Sequence, residues 1–145
     1  MKNILYAFLM IASVFFISSC SNNEDKDAPS IEILKPQENE VVETGKNLNM
    51  KFRFKDEYGV HYYSYELFHE DGQVQGEFTY KKELDVETVL NEFEISHSVQ
   101  IPLMNRDSVP TATGNYILRV VAVDWYYNKN YVDRVIKIVK NTENQ

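Results

Sequence analysis

The chain has 145 residues and carries 22 acidic side chains against 15 Lys and Arg, for a net charge of −7 at neutral pH. Such a chain repels phosphate backbones, and no Lys/Arg cluster or stripe offsets the repulsion, so nucleic acid is excluded as a partner. A single cysteine excludes an intramolecular disulfide framework, so whatever folds here is held by its apolar core.

The first twenty residues read as an address. Lys2 gives a positive start, and Ile4 to Ile17 is an apolar run of 14 residues broken only by Ser13. That length suits a secretory signal, whereas a membrane-spanning helix needs about 20 residues. Ser18 and Ser19 then precede Cys20. Aliphatic, small, small, Cys resembles the bacterial lipobox, and the resemblance implies signal cleavage before Cys20 and attachment of lipid to its thiol. The alternative is an ordinary signal peptide with an incidental cysteine. Two acyl chains anchor stably, at about 0.8 kcal/mol per buried CH2, so a lipidated Cys20 needs no further membrane segment. The expected division is residues 1–19 as signal peptide, 20–28 as lipidated cysteine and flexible tether, 29–140 as one domain, and 141–145 as a frayed tail.

Residues 1–19 contain one Lys and no acid, so their removal leaves 126 residues with a net charge of −8. That is one ordinary domain with room for a real core. The tether Ser21 to Asp27 has no apolar residue to bury. Its acidic pair Glu24-Asp25 resembles the surface-export signal of lipoproteins from Bacteroidota, against the plainer reading of a solvated linker. The expected location is the outer membrane, lipid-anchored, on its periplasmic face or at the cell surface.

Downstream the pattern is period-two throughout. Ser30 to Leu34 alternates and stops at Lys35-Pro36. Val41 to Gly45 reads as a short continuation. Leu48, Met50, Phe52 and Phe54 share one face against Asn49, Lys51, Arg53 and Lys55. Asp56 to Gly59 turns, Tyr63, Tyr65 and Leu67 form the next inward face, and Glu70-Asp71-Gly72 carries a hairpin signal. Phe78-Thr79-Tyr80 reads as an outer strand, and Lys81 to Asn91 as a loose connection or a helical turn. Phe93 to Ile101 alternates strictly to Pro102, and Asn105 to Gly114 is a polar connection. Tyr116 to Val123 is apolar on both sets of positions, which predicts a central strand covered on both faces. Asn128-Lys129-Asn130 reads as a turn, and Tyr131 to Val139 as the last strand.

About seven strands, short turns, no long helix and no βαβ rhythm predict an all-β, immunoglobulin-like antiparallel β-sandwich. Gly114 to Asp124 resembles the penultimate strand of bacterial Ig-like and fibronectin-like modules, with Tyr116 placed like the tyrosine corner. Pro29-Ser30-Ile31, Pro36 to Gly45, Phe54-Lys55-Asp56, Tyr65-Glu66-Leu67, His97 to Pro102 and the Asp124 to Asn130 turn together resemble a family of small Bacteroidota lipoproteins with one Ig-like domain of unknown function. The resemblance spans residues 28–139. Members often carry a histidine-rich stretch after the third strand, where this chain has only His69, so a metal role does not carry over.

In such a sandwich the 56–61 and 124–131 turns share one pole, beside the start of the first strand. That pole is expected to gather Asp56, Glu57, Tyr58 and His61 with Asp124, Trp125, Tyr126, Tyr127, Asn128 and Tyr131. Rigid aromatics beside Asn and Asp are typical of recognition surfaces, since they bury area at small entropic cost, although some rings at a pole simply cap the core. The candidate contact residues are Tyr58, His61, Trp125, Tyr126, Tyr127 and Tyr131, for a protein or glycan partner at the envelope. The pole's acids are too few for calcium without carbonyl ligands. His61, His69 and His97 fall too far apart along the strands to share a transition metal, and His97 faces the core. The mature chain has no thiol outside the anchor, no G-x-S-x-G and no H-E-x-x-H. The expectation is a non-catalytic binding or accessory module with no cofactor; the alternative is a metal-binding envelope lipoprotein taking calcium, copper or zinc.

Overall fold

The structure, a computed structural model, describes residues 26–142. The signal segment, Cys20 and the start of the tether lie outside the described residues, as do residues 143–145. Among the described residues there are eight strands and no helix: β1 (Ser30–Lys35), β2 (Glu40–Glu43), β3 (Asn47–Lys55), β4 (Val60–His69), β5 (Tyr80–Asp85), β6 (Glu92–Gln100), β7 (Gly114–Asp124) and β8 (Lys129–Val139). They form two sheets, β1-β3-β6 and β2-β8-β7-β4-β5, which is an immunoglobulin-like sandwich. All neighbours are antiparallel except β2 and β8.

The core is the sum of the alternating faces. Leu48, Met50, Phe52 and Phe54 of β3 meet Tyr63, Tyr65 and Leu67 of β4 and Tyr116, Leu118, Val120 and Ala122 of β7. Ring contacts cross between the sheets, with Phe52 5.1 Å from Tyr65 and Phe54 5.0 Å from Tyr63. The expected tyrosine corner is present: Tyr116 Oη donates to the Ala112 carbonyl at 2.9 Å, and burial raises the pKa of its phenol.

Several expectations change. β2 does not continue β1 but lies in the other sheet, parallel to β8. Pro36 lacks the N–H that would extend the β1 ladder, and Asn39 turns the chain across with φ 60°. Phe78 and Thr79 precede the edge strand rather than form it, and residues 70–79 make a long connection instead of a tight hairpin. The eighth strand, β5, comes from the segment read as loose connection or helical turn. β7 is central, yet its outward residues Ile117, Arg119, Val121 and Val123 are half-buried, so no second layer covers that face. The turn after β7 is Trp125–Asn128, and Lys129 and Asn130 already pair with Val123 and Ala122. Asn141, expected in the frayed tail, is buried, its N–H donating to Thr44 Oγ1 at 3.1 Å.

His97 faces inward as the alternation predicts. Its Nε2 is hydrogen-bonded to Tyr80 Oη at 2.7 Å and its ring stacks on that of Tyr80, joining the edge strands β6 and β5 across the sandwich. Desolvation, helped by nearby Lys82, lowers the His97 pKa. A folded-state pKa below the unfolded value of about 6.5 means His97 favours folding above that pH, and this contribution is lost as pH falls through the lowered value. The melting temperature should therefore drop on acidification below about pH 6.5. The drop should be shallower in His97→Gln, read by circular dichroism at matched pH values.

Candidate functional site: an aromatic tip

Strands β3 and β7 end at the same pole, β7 on buried Asp124 and β3 just before buried Asp56, and each aspartate closes the turn behind it. Asp124 is fully buried. Its Oδ1 accepts the N–H of Tyr126 and of Asn128, each at 2.8 Å, and its Oδ2 accepts Asn128 Nδ2 at 2.7 Å. The Asp56 Oδ1 accepts the Tyr58 N–H at 2.8 Å in the same manner. Both are Asx turns, in which a short carboxylate replaces the next rung of the ladder. With the backbone so held, the intervening rings are left outside.

The rings pair across the two loops. Tyr58 and Tyr126 meet edge to face at 5.2 Å, and His61 lies 4.4 Å from Trp125 and 6.1 Å from Tyr127. His61 reaches them because it is an extra residue in its strand. Val60 pairs with Asp124 and Tyr62 with Val123, so His61 sits in a bulge that re-aims it outward. Its Nδ1 is buried without a hydrogen-bond partner. Trp125, Tyr126 and Tyr127 are 38, 48 and 78% exposed, so none of the three consecutive rings caps the core.

Tyr127 also adopts φ 67°, a left-handed conformation that bulky residues rarely take. Asn or Gly at this position would suit the turn better, so an exposed aromatic here is held at a cost in stability.

Tyr131 is not part of this cluster. Its ring packs under Arg119, whose guanidinium lies 5.0 Å away and also covers Phe68 at 5.5 Å, on the outer face of the five-stranded sheet. Asp133 fixes that guanidinium through two hydrogen bonds of 2.7 and 2.8 Å.

A third loop, residues 86–91, completes the tip. Leu90 O accepts the Val60 N–H at 3.2 Å, Asn91 O accepts the Asp56 N–H at 2.8 Å, and Asn91 Nδ2 donates to the Glu57 carbonyl. It presents Val89 and Leu90, 60 and 40% exposed. Gly59, at φ 91°, lets it approach: a Cβ there would stand 2.7 Å from Val89 Cγ1. The sequence signal for this loop was the apolar pair Val89-Leu90 inside a polar connection. The chain enters at the same pole on the β1 and β8 side, with Asn130 Nδ2 donating to the Pro29 carbonyl at 2.8 Å.

The histidines are separate. His69 is buried at the far pole, accepting the Asp71 N–H on Nδ1, while His97 lies between Tyr80 and Tyr65. Among the described residues no three His, Cys, Asp or Glu side chains gather in a way that would hold a metal.

Removing the Asp124 carboxylate leaves buried N–H groups without an acceptor. Asp124→Ala should cost about 3 kcal/mol by urea denaturation. Tyr127→Gly should leave the melting temperature unchanged or higher, because glycine takes positive φ freely. A large loss in Tyr127→Gly would mean that the ring carries packing energy.

None of the curated proteins matches this chain. Among solved structures, the fibronectin(III)-like modules of Clostridium thermocellum CbhA share 16% identity at a TM-score of 0.48, covering 77% of this chain and 47% of theirs. The Pseudomonas fluorescens alkylpurine DNA glycosylase AlkC shares 10% at 0.47, covering 79% and 31%. Murine CRIg shares 11% at 0.40, covering 79% and 98%. The chain thus spans less than half the length of the first two. The family model described as "Domain of unknown function (DUF4625)" matches residues 18–139, and the chain belongs to that family.

Proposed function

We propose that this is a non-catalytic, lipid-anchored binding or accessory module of the bacterial envelope that works by contact through its aromatic tip. The observation that carries the reading is the cluster of Tyr58, Trp125, Tyr126 and Tyr127, exposed on loops whose backbones are fixed by buried aspartates, with half-buried His61 of β4 packed against Trp125 and Tyr127. Rigid exposed rings bury large area on contact with little entropy to lose, which is why such residues dominate recognition surfaces. The strained Tyr127 adds to this, since a ring kept at a cost in stability needs a use other than folding. The anchor rests on the lipobox-like Ile17-Ser18-Ser19-Cys20, and the outer-membrane location on that resemblance and on Glu24-Asp25. The metal-binding alternative finds no donor cluster among the described residues to favour it.

Cys20→Ser should release the protein from membranes washed with carbonate, whereas the unaltered chain stays with them. A photo-crosslinking amino acid at position 127 should form an adduct in intact cells, and one at Gln73, on the opposite pole, should not. Equal yields at both poles would remove the tip from consideration. Tyr126→Ala with Tyr127→Ala should abolish the contact at a cost below about 2 kcal/mol of stability.

A further inference from the structure

We propose that the tip seats in the interfacial layer of the same membrane that holds the lipidated N-terminus. The proposal rests on the anchored reading above and names what the tip touches.

Three observations carry it. The first is composition. Tyr58, Val89, Leu90, Trp125, Tyr126 and Tyr127 are exposed together on three loops at one pole. Trp and Tyr, apolar in body and polar at one atom, are the side chains that favour the boundary between headgroups and acyl chains, and Val89 and Leu90 add purely apolar area. The second is where the chain enters. Pro29 is hydrogen-bonded to Asn130 at this pole, so residues leading from Cys20 arrive beside the rings.

The third is reach. Nine residues lead from Cys20 to Pro29, about 30 Å even when fully extended. Asn130, which holds Pro29, pairs with Ala122, and the eight rises from there to Gly114 span about 26 Å at ~3.3 Å each before the far-pole loops begin. The tether therefore lets the far pole face the membrane only when it is almost fully extended, whereas the aromatic tip lies beside its point of entry.

Charge sets the character of the contact. The mature chain is acidic, and exposed Glu57 and Glu87 flank the tip and offset Lys55 and Lys129, the cations close in sequence to the rings. Attraction to anionic lipid is therefore not its source, and the two glutamates must stay hydrated, which limits entry to the headgroup boundary. A few side chains inserted so shallowly bind weakly by themselves. Held near the surface by acyl chains, they act at high effective concentration.

Trp125, the only tryptophan, is the reporter. The lipidated full chain is reconstituted into phosphatidylethanolamine–phosphatidylglycerol vesicles containing phospholipids brominated at shallow or deep acyl positions. Shallow bromine should quench Trp125 at least twofold, deep bromine much less, and 1 M NaCl should change neither. Val89→Ser with Leu90→Ser should reduce the shallow quenching while the near-UV circular dichroism stays that of the folded domain. Protein that floats with the vesicles yet shows no lipid quenching, with Trp125 open to acrylamide, overturns this proposal alone and assigns the tip to a protein or glycan. Protein that does not float overturns the anchored reading, and this proposal with it.

Discussion

β7 is pinned at both ends by a buried side chain that hydrogen-bonds backbone, and the rest of the molecule hangs from that strand. At one end Tyr116 closes onto the Ala112 carbonyl; at the other Asp124 gathers the N–H groups of Tyr126 and Asn128. Between them, Leu118, Val120 and Ala122, with no exposure, fill the middle of the core. A buried polar group must be satisfied or it costs more than it contributes, so each pin tolerates one local geometry only. That shared intolerance links fold and site: the bonds that stop β7 also decide where the rings of the tip point.

The core was legible because its carriers alternate strictly. Leu48 to Phe54 and Tyr116 to Ala122 admit no other register without turning their apolar face to water. What was not legible was either charged or non-local. β5 reads Tyr-Lys-Lys-Glu-Leu-Asp, and an edge strand dressed in charge to discourage further pairing loses the apolar signal of a strand. The move of β2 to the opposite sheet leaves no trace in periodicity, since its partners on β8 lie 96 residues further along the chain (Glu40 opposite Ile136). At the tip, the rings of Trp125, Tyr126 and Tyr127 could be placed at a pole from strand parity alone. Tyr131 could not be separated from them, because its distance from the turn depended on whether β8 began at Lys129 or later. The bulge at His61 was hidden for a similar reason: Val60 and Tyr63 both face inward, a break in alternation that a turn would equally explain.

The outer face of the five-stranded sheet and the tip handle apolar residues outside the core differently. On the outer face, Tyr131 and Phe68 are covered by the Arg119 guanidinium, which Asp133 holds in place. A cation over a ring and a carboxylate behind it screen apolar surface that would otherwise invite association. Among the described residues no cation lies over the ring of Tyr127, which is 78% exposed, and Val89 and Leu90 beside it are also exposed. Tyr131, though itself exposed, has a charged partner on its face, and the rings of the tip pack against one another and His61.

Strand parity makes the placement of the tip inseparable from the point where the chain enters the sandwich. β1 starts at the pole where β3 ends, because Ser30 pairs with Lys55, and β4 and β6 start there as well. The loops 56–59, 86–91 and 125–128 must then share that pole with Pro29 whatever their sequences are. A tether at the N-terminus therefore always brings those three loops toward its point of attachment, and a long tether is needed to turn them away. Under the proposed anchoring at Cys20, nine residues before Pro29, loops rich in Trp, Tyr, Val and Leu are the ones suited to that confined position. Charged loops carrying the chain's acidic excess would have set the domain against an anionic surface.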